Sequence, residues 1–416
     1  MSEGKGGGGK RILLMAYECS PYKGSEAYVG WGRVQQALRE FDIDVICSRE
    51  SYAAMDRYLM TEKLVGARFH SPRADWKLRL LRRVPRLFAY NYMAYHQWQR
   101  LAYKLAMQLH EEEPFAMVHQ VNVCTFREPG YCWKMEVPFL WGPVGGTQNV
   151  PESFLRGMPF VEAFKERARS FTNRFSLRKG RVRAAARAAA VLLAANSTNK
   201  RDYEAAFGRE VGLLLETGLY DVKYARAEKF VEGGPLRILW SGEFTTRKAL
   251  PLLLEALAML KGKVEFELRV LGKGPLEQVW RTKAEDLGVA VNFLGMLRLP
   301  DAIAQLEWAQ VFVFTSLRDT SGNVVLEALG SGVPVICFDH QGVGDIVTAE
   351  CGVKVAVTDP ETAVRDFAAA LRGVAEERGR LVAMSAAATE RAKEYLWEAN
   401  GDRVNAICRE LMRGPE

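Results

Sequence analysis

The sequence predicts an α/β protein built from two domains, each with a parallel sheet. Short apolar runs alternate with amphipathic stretches almost throughout the chain, which is the pattern of βαβ units. The series of apolar runs also starts twice, and 416 residues leave room for two or three domains at roughly 150 residues each. We therefore expect two Rossmann-like domains that face each other across a cleft.

The first series lies in residues 11–215, which we predict to be the N-terminal domain. Its apolar runs are at 11–16, 43–48, 115–120, 137–142 and 190–195, and its helical patterns are at 28–40, 97–112 and 197–207. Residues 1–10 are rich in glycine, so we expect a flexible tail. Their spacing resembles a P-loop, but Arg11 stands where Ser or Thr is required.

The second series lies in residues 236–394, which we predict to be the C-terminal domain. Its apolar runs are at 236–242, 266–272, 291–295, 311–316, 333–338 and 353–357. The charged, Gly-containing residues 216–235 are the expected linker. Helical patterns follow at 360–376, 379–394 and 396–412, and we expect residues 395–416 to pack back on the N-terminal domain.

Composition and charge exclude several classes of protein. Apolar residues make up 48% and charged residues 26% of the chain, a globular profile. Residues 1–215 hold 33 Lys and Arg against 21 Asp and Glu, whereas residues 216–416 hold 24 against 29. An anionic partner attracted by charge should therefore meet the front half. No recognised nucleic-acid motif is present, so we expect no nucleic-acid partner.

Cysteine and histidine usage bears on location and metals. Seven cysteines without C-x-x-C favour a reducing compartment, and five histidines without H-x-x-x-H give no zinc-protease motif. We expect no metal site. The start of the chain lacks the apolar core of a signal peptide, and no uninterrupted apolar stretch of about 18 residues exists. These features predict a cytoplasmic protein.

Residues 311–347 carry the most informative segment, VFVFTSLRDTSGNVVLEALGSGVPVICFDHQGVGDIV. A buried strand is followed by a polar turn with Asp319 and Ser321, and a helix begins near Gly322. The free amides of Gly322, Asn323 and Val324 at that helix start are predicted to form an anion site that fits a diphosphate. Taken singly, Asp319 is better interpreted as a capping residue and Glu327 as a solvated helix residue, since charged side chains usually lie on solvated faces.

The same segment resembles the donor site of family 4 retaining glycosyltransferases, which have the GT-B fold. Asp319, seven residues, Glu327 and then GSGVPVI match that family's pattern of an acidic residue, seven residues, Glu and a G-x-P-V-I strand. The resemblance implies that Asp319 contacts the transferred sugar and that Glu327 binds the ribose of the nucleotide. Asp319 stands where Glu is more usual, so the resemblance leaves the sugar's identity open.

A second segment, ILWSGEFTTRKALPLLLEAL at 238–257, is similar to the family's diphosphate-binding loop. Lys248 falls at the family's Lys position, but Glu243 stands where the family has Arg. We expect Arg247 to supply the second positive charge, or Glu243 to point away. Further donor-side landmarks of the family are matched by Gly242, Gly272, Gly274 and Leu294.

The front half resembles the acceptor side of a subgroup of these enzymes. The loop after the first strand contains Gly24, Ser25 and Glu26, and a later loop contains Gly145 and Gly146. We expect these residues to face the cleft. His119 is expected at a strand end beside the cleft, where family histidines contact the donor or the acceptor, with a buried structural imidazole as the alternative.

Basic residues concentrate in two segments. Residues 74–92 place Trp76, Leu80, Leu81, Val84, Leu87 and Phe88 at helical spacing among arginines and lysines, and residues 165–187 carry nine basic side chains against one acidic residue, Glu166. Such segments are candidates for an anionic membrane surface. Because Pro85 interrupts the first segment, ordinary packing on its own domain is the favoured alternative.

Together, these resemblances imply a retaining glycosyltransferase that moves a sugar from a nucleotide-diphosphate sugar to an acceptor hydroxyl, on a glycan or a lipid-linked acceptor. Lys248, Arg247, Asp319 and His119 are the expected catalytic residues, and the family requires no bound cofactor. We expect a cytoplasmic enzyme of polysaccharide biosynthesis, with the inner face of the membrane as a candidate location. Two alternatives remain open: an inactive nucleotide-sugar-binding subunit, because of Glu243, and a GT-B nucleotide-sugar epimerase.

Overall fold

The computed structural model describes residues 10–24, 26–83, 88–231 and 233–413. Residues 1–9 of the predicted tail, Ser25, and Val84 and Leu87 of the first basic segment lie outside the described residues.

The first sheet has seven parallel strands in the order β3-β2-β1-β4-β5-β6-β7. Its strands are β1 (Arg11–Ala16), β2 (Asp42–Ile46), β3 (Ala67–His70), β4 (Met117–Asn122), β5 (Phe139–Val144), β6 (Val191–Ala194) and β7 (Gly212–Leu213). Its helices are α1 (Glu26–Ala37), α2 (Arg49–Leu59), α3 (Trp76–Arg83), α4 (Phe88–Glu112), α5 (Glu152–Leu155), α6 (Phe160–Leu177), α7 (Gly180–Ala188) and α8 (Ser197–Phe207), with a 3-10 turn at Cys132–Lys134.

The second sheet has six parallel strands in the order β10-β9-β8-β11-β12-β13. After α9 (Glu228–Val231) come β8 (Leu236–Ser241), β9 (Phe266–Leu271), β10 (Val291–Gly295), β11 (Val311–Phe314), β12 (Val335–Phe338) and β13 (Gly352–Val355). The helices are α10 (Leu250–Leu260), α11 (Glu277–Asp286), α12 (Leu299–Trp308), α13 (Asn323–Gly330), α14 (Gln341–Ile346), α15 (Pro360–Glu376), α16 (Arg378–Lys393) and α17 (Trp397–Arg413), with a 3-10 turn at Thr246–Lys248.

Both sheets are covered on their two faces, which explains why their central strands are continuous apolar runs. In β1, Leu13 and Met15 join one hydrophobic cluster while Ile12 and Leu14 join another. Successive side chains of a strand point to opposite faces, so each run must be apolar throughout when helices cover both faces. This arrangement confirms the predicted fold class.

The last helix, α17, returns to the N-terminal domain. The ring of Trp397 lies so close to Gly32 of α1 that a Cβ on Gly32 would approach it to 2.4 Å. Arg33, buried in α1, donates to the side chain of Asn400 at 2.6 Å, and Asn405 donates to the carbonyl of Gln36 at 2.9 Å. The two domains are therefore connected twice, once through residues 216–235 and once through α17.

Several helices and strands of the structure were not predicted from the sequence. The strand β3 was not predicted because its sequence, ARFH, alternates with charged residues at a sheet edge, where Arg68 and His70 contact buried Asp44. In contrast, the predicted helices at 197–207 and 360–376 have the bounds of α8 and α15. Residues 216–235 contain α9 and a contact of Leu219 with Leu396, so this stretch packs against the end of the chain.

All seven cysteines are free thiols. Among the described helices, none combines the length and the apolar character needed to cross a bilayer.

Candidate functional site

The site forms where the loops after β8 and β11 meet at the carboxyl edge of the second sheet. β8 and β11 are neighbours, so the two loops start side by side. The amide of Leu317 donates to the carbonyl of Arg247 at 2.8 Å, and the hydroxyl of Thr315 donates to the carbonyl of Lys248 at 2.8 Å. These bonds fix the lysine and arginine loop against the loop that carries Asp319, at the edge where open α/β sheets bind ligands.

Lys248 and Asp319 are the centre of this site. The ammonium of Lys248 donates to the carboxylate of Asp319, which also accepts from Ser316 at 3.1 Å and from Arg247 at 3.4 Å. Burial opposes the charge of Asp319, but the two cations outweigh it and lower the pKa of this carboxyl. Burial also lowers the pKa of Lys248, although Asp319 counteracts this effect. The pair therefore carries both charges.

A cavity of about 280 Å3 lies beside this pair. It is lined by Lys248, Asp319 and the start of α13, including Ser321, Gly322, Asn323 and Val324. Gly322 caps the helix with a φ of 74°, a left-handed conformation that glycine adopts without strain. The predicted anion site and the predicted lysine thus share one cavity.

Two further carboxyl groups line this cavity, one from the N-terminal domain and one from the start of the stretch that joins the domains. Glu26, at the start of α1, accepts from the amide of Cys124 at 3.2 Å, and burial raises its pKa. Glu216 is only 6% exposed and its Oε2 has no hydrogen-bond partner in the described part of the chain. Burial, reinforced by the charges of Glu26 and Asp319, raises the pKa of Glu216 to about 7.

Glu327 lies in a second, larger cavity of about 600 Å3 at the other side of α13. This cavity is shared between the domains, because Gly24 and Tyr28 line it from the front and Asn323 lines both cavities. Burial raises the pKa of Glu327 to about 7. The two acidic residues of the predicted pattern therefore face two adjoining cavities.

Glu243 does not face the small cavity. Its side chain is 60% exposed and its Oε2 lies 3.9 Å from the guanidinium of Arg247. The side chain of Glu243 therefore points away from the cavity, which is one of the two expectations from the sequence. Arg247 is the second cation beside Asp319, together with Lys248.

The predicted donor-side glycines pack loops together. A Cβ on Gly272 would lie 1.9 Å from the carbonyl oxygen of Gly242, and one on Gly274 would lie 2.7 Å from the backbone of Phe244. Leu294 packs against a hydrophobic cluster of the C-terminal domain. Gly272 and Gly274 therefore hold the loop after β9 against Gly242 and Phe244 of the loop that carries Lys248.

The predicted acceptor-side residues have different positions. Gly145 approaches the other domain so closely that a Cβ would lie 2.6 Å from Thr320, whereas Gly146 has a φ of 110° and donates to Gln148. The expectation for His119 is corrected: it lies inside β4, is 1% exposed, and its Nε2 lies 2.7 Å from the carbonyl oxygen of Gly142. Because β4 continues for three more residues, His119 is a buried structural imidazole, and burial lowers its pKa to about 3.

The domains meet tightly around the Asp319 loop. Gln148 donates to the hydroxyl of Thr320 at 2.5 Å, and Asn196 donates to the carbonyl of Thr320 at 2.9 Å. Arg318 pairs with Glu166 of α6 at 2.9 Å, with both side chains 17% exposed. The residues on either side of Asp319 are thus held by the N-terminal domain.

Sequence reasoning missed Glu216, Thr320 and Arg318. Glu216 was assigned to a linker, and the only sequence signal was an acidic residue placed directly after the apolar run VGLLL. Among the described residues, no group of three or more His, Cys, Asp or Glu side chains is placed to hold a metal ion.

Comparison with known proteins gives a family match for the C-terminal domain. Residues 235–377, about a third of the chain, match the family model described as Glycosyl transferases group 1. The chain is 32% identical over 126 residues to the putative colanic acid biosynthesis glycosyltransferase WcaL of Salmonella typhimurium. The aligned residues cover 28% of this chain and 31% of that protein. A GDP-mannose-dependent monoacylated alpha-(1-6)-phosphatidylinositol monomannoside mannosyltransferase of Corynebacterium glutamicum is 29% identical over 180 residues, 41% of this chain and 45% of that protein. The chain thus spans less than half the length of these relatives.

Solved structures match the whole chain at low identity. The lipopolysaccharide outer core galactosyltransferase WaaB superposes with a TM-score of 0.66 at 16% identity, over 96% of this chain and 99% of that chain. The sucrose-phosphate synthase of Thermosynechococcus elongatus gives 0.67 at 16% identity, over 98% and 100%. Anabaena HepE in complex with UDP gives 0.65 at 13% identity, over 96% and 100%. These similarities show the GT-B fold.

Proposed function

We propose that this protein is a retaining glycosyltransferase that moves a hexose from a nucleotide-diphosphate sugar to an acceptor hydroxyl. The observation that carries the proposal is the convergence of Lys248, Asp319 and the start of α13 on one cavity, with Glu327 in the adjoining cavity. The family match of residues 235–377 and the UDP held by Anabaena HepE support the donor class.

The small cavity suits the diphosphate of the donor. Unpaired amides at a helix start and the helix dipole favour an anion beside Gly322, Asn323 and Val324. Lys248 lines the same cavity, and its side chain is 11% exposed. The net negative charge of residues 216–416 is therefore outweighed locally by these donors.

Donor binding would rearrange the ion pair of Lys248 and Asp319. A diphosphate in the cavity competes with Asp319 for the ammonium, since a doubly charged ligand attracts the cation more strongly than one carboxylate. The carboxylate of Asp319 then becomes free to accept hydrogen bonds from hydroxyls of the transferred sugar. The ion pair therefore holds Lys248 beside the proposed position of the diphosphate and Asp319 beside the proposed position of the sugar.

Glu327 suits the ribose of the nucleotide. An ionised carboxylate accepts hydrogen bonds from two vicinal hydroxyls, and Glu327 lines a cavity large enough for a nucleoside. We propose that the base lies in the same cavity, between the domains, near Tyr28 and Gly24.

Catalysis rests on stabilising the leaving diphosphate. Lys248, Arg247 and the amides of α13 provide positive charge where negative charge develops as the sugar–phosphate bond breaks. The acceptor oxygen forms the new bond on the same face of the sugar, and its proton passes to the departing phosphate oxygen. The contacts of Gln148 and Asn196 with Thr320 exclude water from this step. These cations fill the role of a metal, so we propose that no metal is required.

Thermal unfolding with UDP, GDP, ADP and their sugars tests donor binding. A ligand at 100 times its dissociation constant stabilises the folded state by about 2.7 kcal/mol. We expect one nucleoside diphosphate to raise the melting temperature in the unsubstituted protein and in Lys263→Ala, an exposed lysine of the same domain. We expect a smaller shift in Lys248→Ala. Equal shifts in all three proteins would place the nucleotide elsewhere.

The two alternatives from the sequence lose support. The inactive-subunit hypothesis rested on Glu243 repelling the diphosphate, but the side chain of Glu243 lies outward beside Arg247. An epimerase and a transferase are separated by their products, because only a transferase joins the sugar to an acceptor.

We propose a glycan or lipid-linked acceptor that binds to the N-terminal domain. WcaL is named for colanic acid biosynthesis and the Corynebacterium relative for a phosphatidylinositol mannoside, which are a polysaccharide and a glycolipid. The basic surplus of residues 1–215 favours an acceptor that carries negative charge.

We also propose that α6 lies on the cytoplasmic face of an anionic membrane. Four phenylalanines of this helix, 57–82% exposed, are Phe160, Phe164, Phe171 and Phe175. At 100° per residue they fall within about 60° of arc. The exposed Arg174 and Arg178 lie close to this stripe and form no ion pair within the described residues. An outward aromatic stripe flanked by cations fits a lipid interface.

The first basic segment also exposes apolar side chains, so the favoured expectation that its apolar residues pack on their own domain is wrong for two of them. In α3 the buried residue is Leu78, whereas Trp76 and Leu80, which were expected on the packed face, are 69% and 56% exposed. Leu81 is half-buried, and the side chain of Phe88 lies outside the described residues.

Vesicle sedimentation tests the α6 surface. We expect the protein to bind vesicles of phosphatidylcholine and phosphatidylglycerol at low salt and to bind less at high salt, since salt screens the arginines. Phe164→Ser/Phe171→Ser should reduce binding by about tenfold or more, because each buried phenylalanine contributes roughly 1.5–3 kcal/mol. Val65→Ser, an isolated residue that is 89% exposed, is the matched control. Equal binding of the double variant would overturn the proposal.

A further inference from the structure

A third cavity, of about 550 Å3, lies in the N-terminal domain at the carboxyl edge of β1 to β3. Its lining includes Arg49 at the start of α2, Arg73 in the loop after β3, and Arg79 and Arg82 of α3. His70, the last residue of β3, also lines the cavity and is paired with the buried carboxylate of Asp44 at 2.5 Å. Neither the donor nor the catalytic residues use this cavity.

The four arginines of this cavity have no carboxylate partner. Within the described residues, none of Arg49, Arg73, Arg79 and Arg82 forms an ion pair, although the chain forms ion pairs at many other arginines. Arg79 donates to the carbonyl of Ala74 at 3.0 Å, and Arg82 lies near Tyr17. Four guanidinium groups around one cavity repel one another, and a bound anion would relieve this repulsion.

The cavity also has an apolar wall. Trp98 lines it at 1% exposure, and its indole N–H, which has no hydrogen-bond acceptor in the described part of the chain, is closed to solvent in this conformation. Phe69 and Tyr52 provide apolar wall beside it.

The cavity is linked to the cleft by one loop. Tyr17, which lies near Arg82, packs edge-on against Trp98 with ring centroids 4.7 Å apart. The chain runs from Tyr17 to Gly24, which lines the large cavity beside Glu327. The arginine cavity therefore lies in the predicted acceptor-binding domain, at the carboxyl edge of the sheet, where open α/β sheets bind ligands.

We propose that this cavity binds the phosphate or diphosphate group of an anionic acceptor. The proposal rests on the transferase function proposed above, because it assigns the substrate class of that reaction's acceptor. Guanidinium groups match phosphate oxygens through paired N–H donors, and two or more arginines enclose a diphosphate from several sides. The apolar wall of Phe69 and Tyr52 suits the carbon skeleton next to that phosphate.

Calorimetric titration with inorganic pyrophosphate tests the cavity, carried out in Lys248→Ala protein to weaken binding at the donor site. We expect Arg73→Ala/Arg79→Ala to weaken pyrophosphate binding by about tenfold for each guanidinium removed. Arg83→Ala, which removes an exposed arginine of the same helix α3 outside the cavity lining, should leave the affinity unchanged. Unchanged affinity in the double variant would overturn the proposal.

A second arm distinguishes the source of the phosphate. The same arginine substitutions, introduced into Phe164→Ser/Phe171→Ser protein to weaken vesicle binding through α6, are tested by sedimentation with vesicles of phosphatidylcholine that contain phosphatidic acid. Loss of both pyrophosphate and vesicle binding in the double variant supports a lipid phosphate, and loss of pyrophosphate binding alone supports a water-soluble phosphate. Failure of the transferase proposal would appear separately, as an absence of sugar transfer by the unsubstituted protein, which these binding measurements do not involve.

Discussion

The ammonium of Lys248 and the carboxylate of Asp319 form an ion pair that closes one side of the donor cavity, although the residues are 71 positions apart. Each group is held beside the position where its proposed substrate partner binds. The pair makes the positive charge of Lys248 available to a diphosphate and keeps Asp319 near the sugar.

Removing the ammonium of Lys248 should mainly slow the chemical step. We predict that Lys248→Ala lowers kcat by about 100- to 1000-fold, as removal of one charge-stabilising donor does in other active sites. Lys248→Arg should recover part of the rate, since it restores the charge. Steady-state kinetics measure both effects, with the exposed Lys263→Ala as the control. A full rate in Lys248→Ala would exclude this role.

Glu327 should make donor binding depend on pH. Burial raises its pKa to about 7, and only the ionised carboxylate accepts hydrogen bonds from both ribose hydroxyls. The donor KM should therefore fall as the pH rises through 7. We predict that Glu327→Gln raises KM by about tenfold at pH 8 and flattens this dependence. Glu285→Gln, an exposed site on α11, should keep the original profile, and an identical profile in Glu327→Gln would contradict the assignment.

Glu216 should make the fold less stable at alkaline pH. Its pKa is raised to about 7 in the folded protein, against about 4.3 in an unfolded chain. The stability that its protonated form contributes is fully present below the unfolded pKa and is lost as the pH rises through the folded pKa. We predict that the free energy of unfolding of Glu216→Gln exceeds that of the unsubstituted protein by about 3 kcal/mol at pH 9.

Thermal unfolding of both proteins from pH 4 to pH 9 measures this difference. The gain should be small at pH 4 and should grow most between pH 5 and pH 7. Glu210→Gln, an exposed carboxyl of the same segment, should show no such trend. A constant difference across the series would show that the pKa of Glu216 is the same in the folded and the unfolded protein, which would contradict this prediction.

Glu166 and Arg318 should act as one unit that holds the Asp319 loop to α6. We predict that Glu166→Gln and Arg318→Gln each lower kcat/KM. The kcat/KM of the double variant should be no lower than that of the less active single variant. As a control, Glu152→Gln breaks the exposed ion pair between Glu152 of α5 and Arg167 of α6, and it should have little effect on kcat/KM. Additive losses in the double variant would show that the two residues act independently.

The sequence was sufficient where a local pattern decides the structure. Apolar runs such as RILLMA identified the buried parallel strands, because both faces of such strands are covered. The segment from β11 to α13 was predicted to be a site because its strand, its turn with Gly322 and its helix start lie in one stretch of chain, and the structure has these elements there. These features need no information from distant residues.

The remaining features depend on distant parts of the chain. His119 was placed at a strand end because the extent of β4 is set by pairing with β1, which the sequence does not display. Glu216 was missed because its cavity is completed by Glu26 and Asp319, about 190 and 100 positions away. The outward face of α6 was also unforeseen, since basic residues were visible in the sequence but the exposure of its phenylalanines depends on which face packs.

The most direct test is the incubation of the protein with a panel of UDP-, GDP- and ADP-sugars and candidate acceptors in the presence of EDTA. We predict that one nucleotide sugar is consumed, that proton NMR shows the transferred sugar with the anomeric configuration of the donor, and that Lys248→Ala loses this activity while Lys263→Ala keeps it. Inversion of the configuration, a strict requirement for added metal, or equal activity in Lys248→Ala would contradict a retaining transfer supported by Lys248.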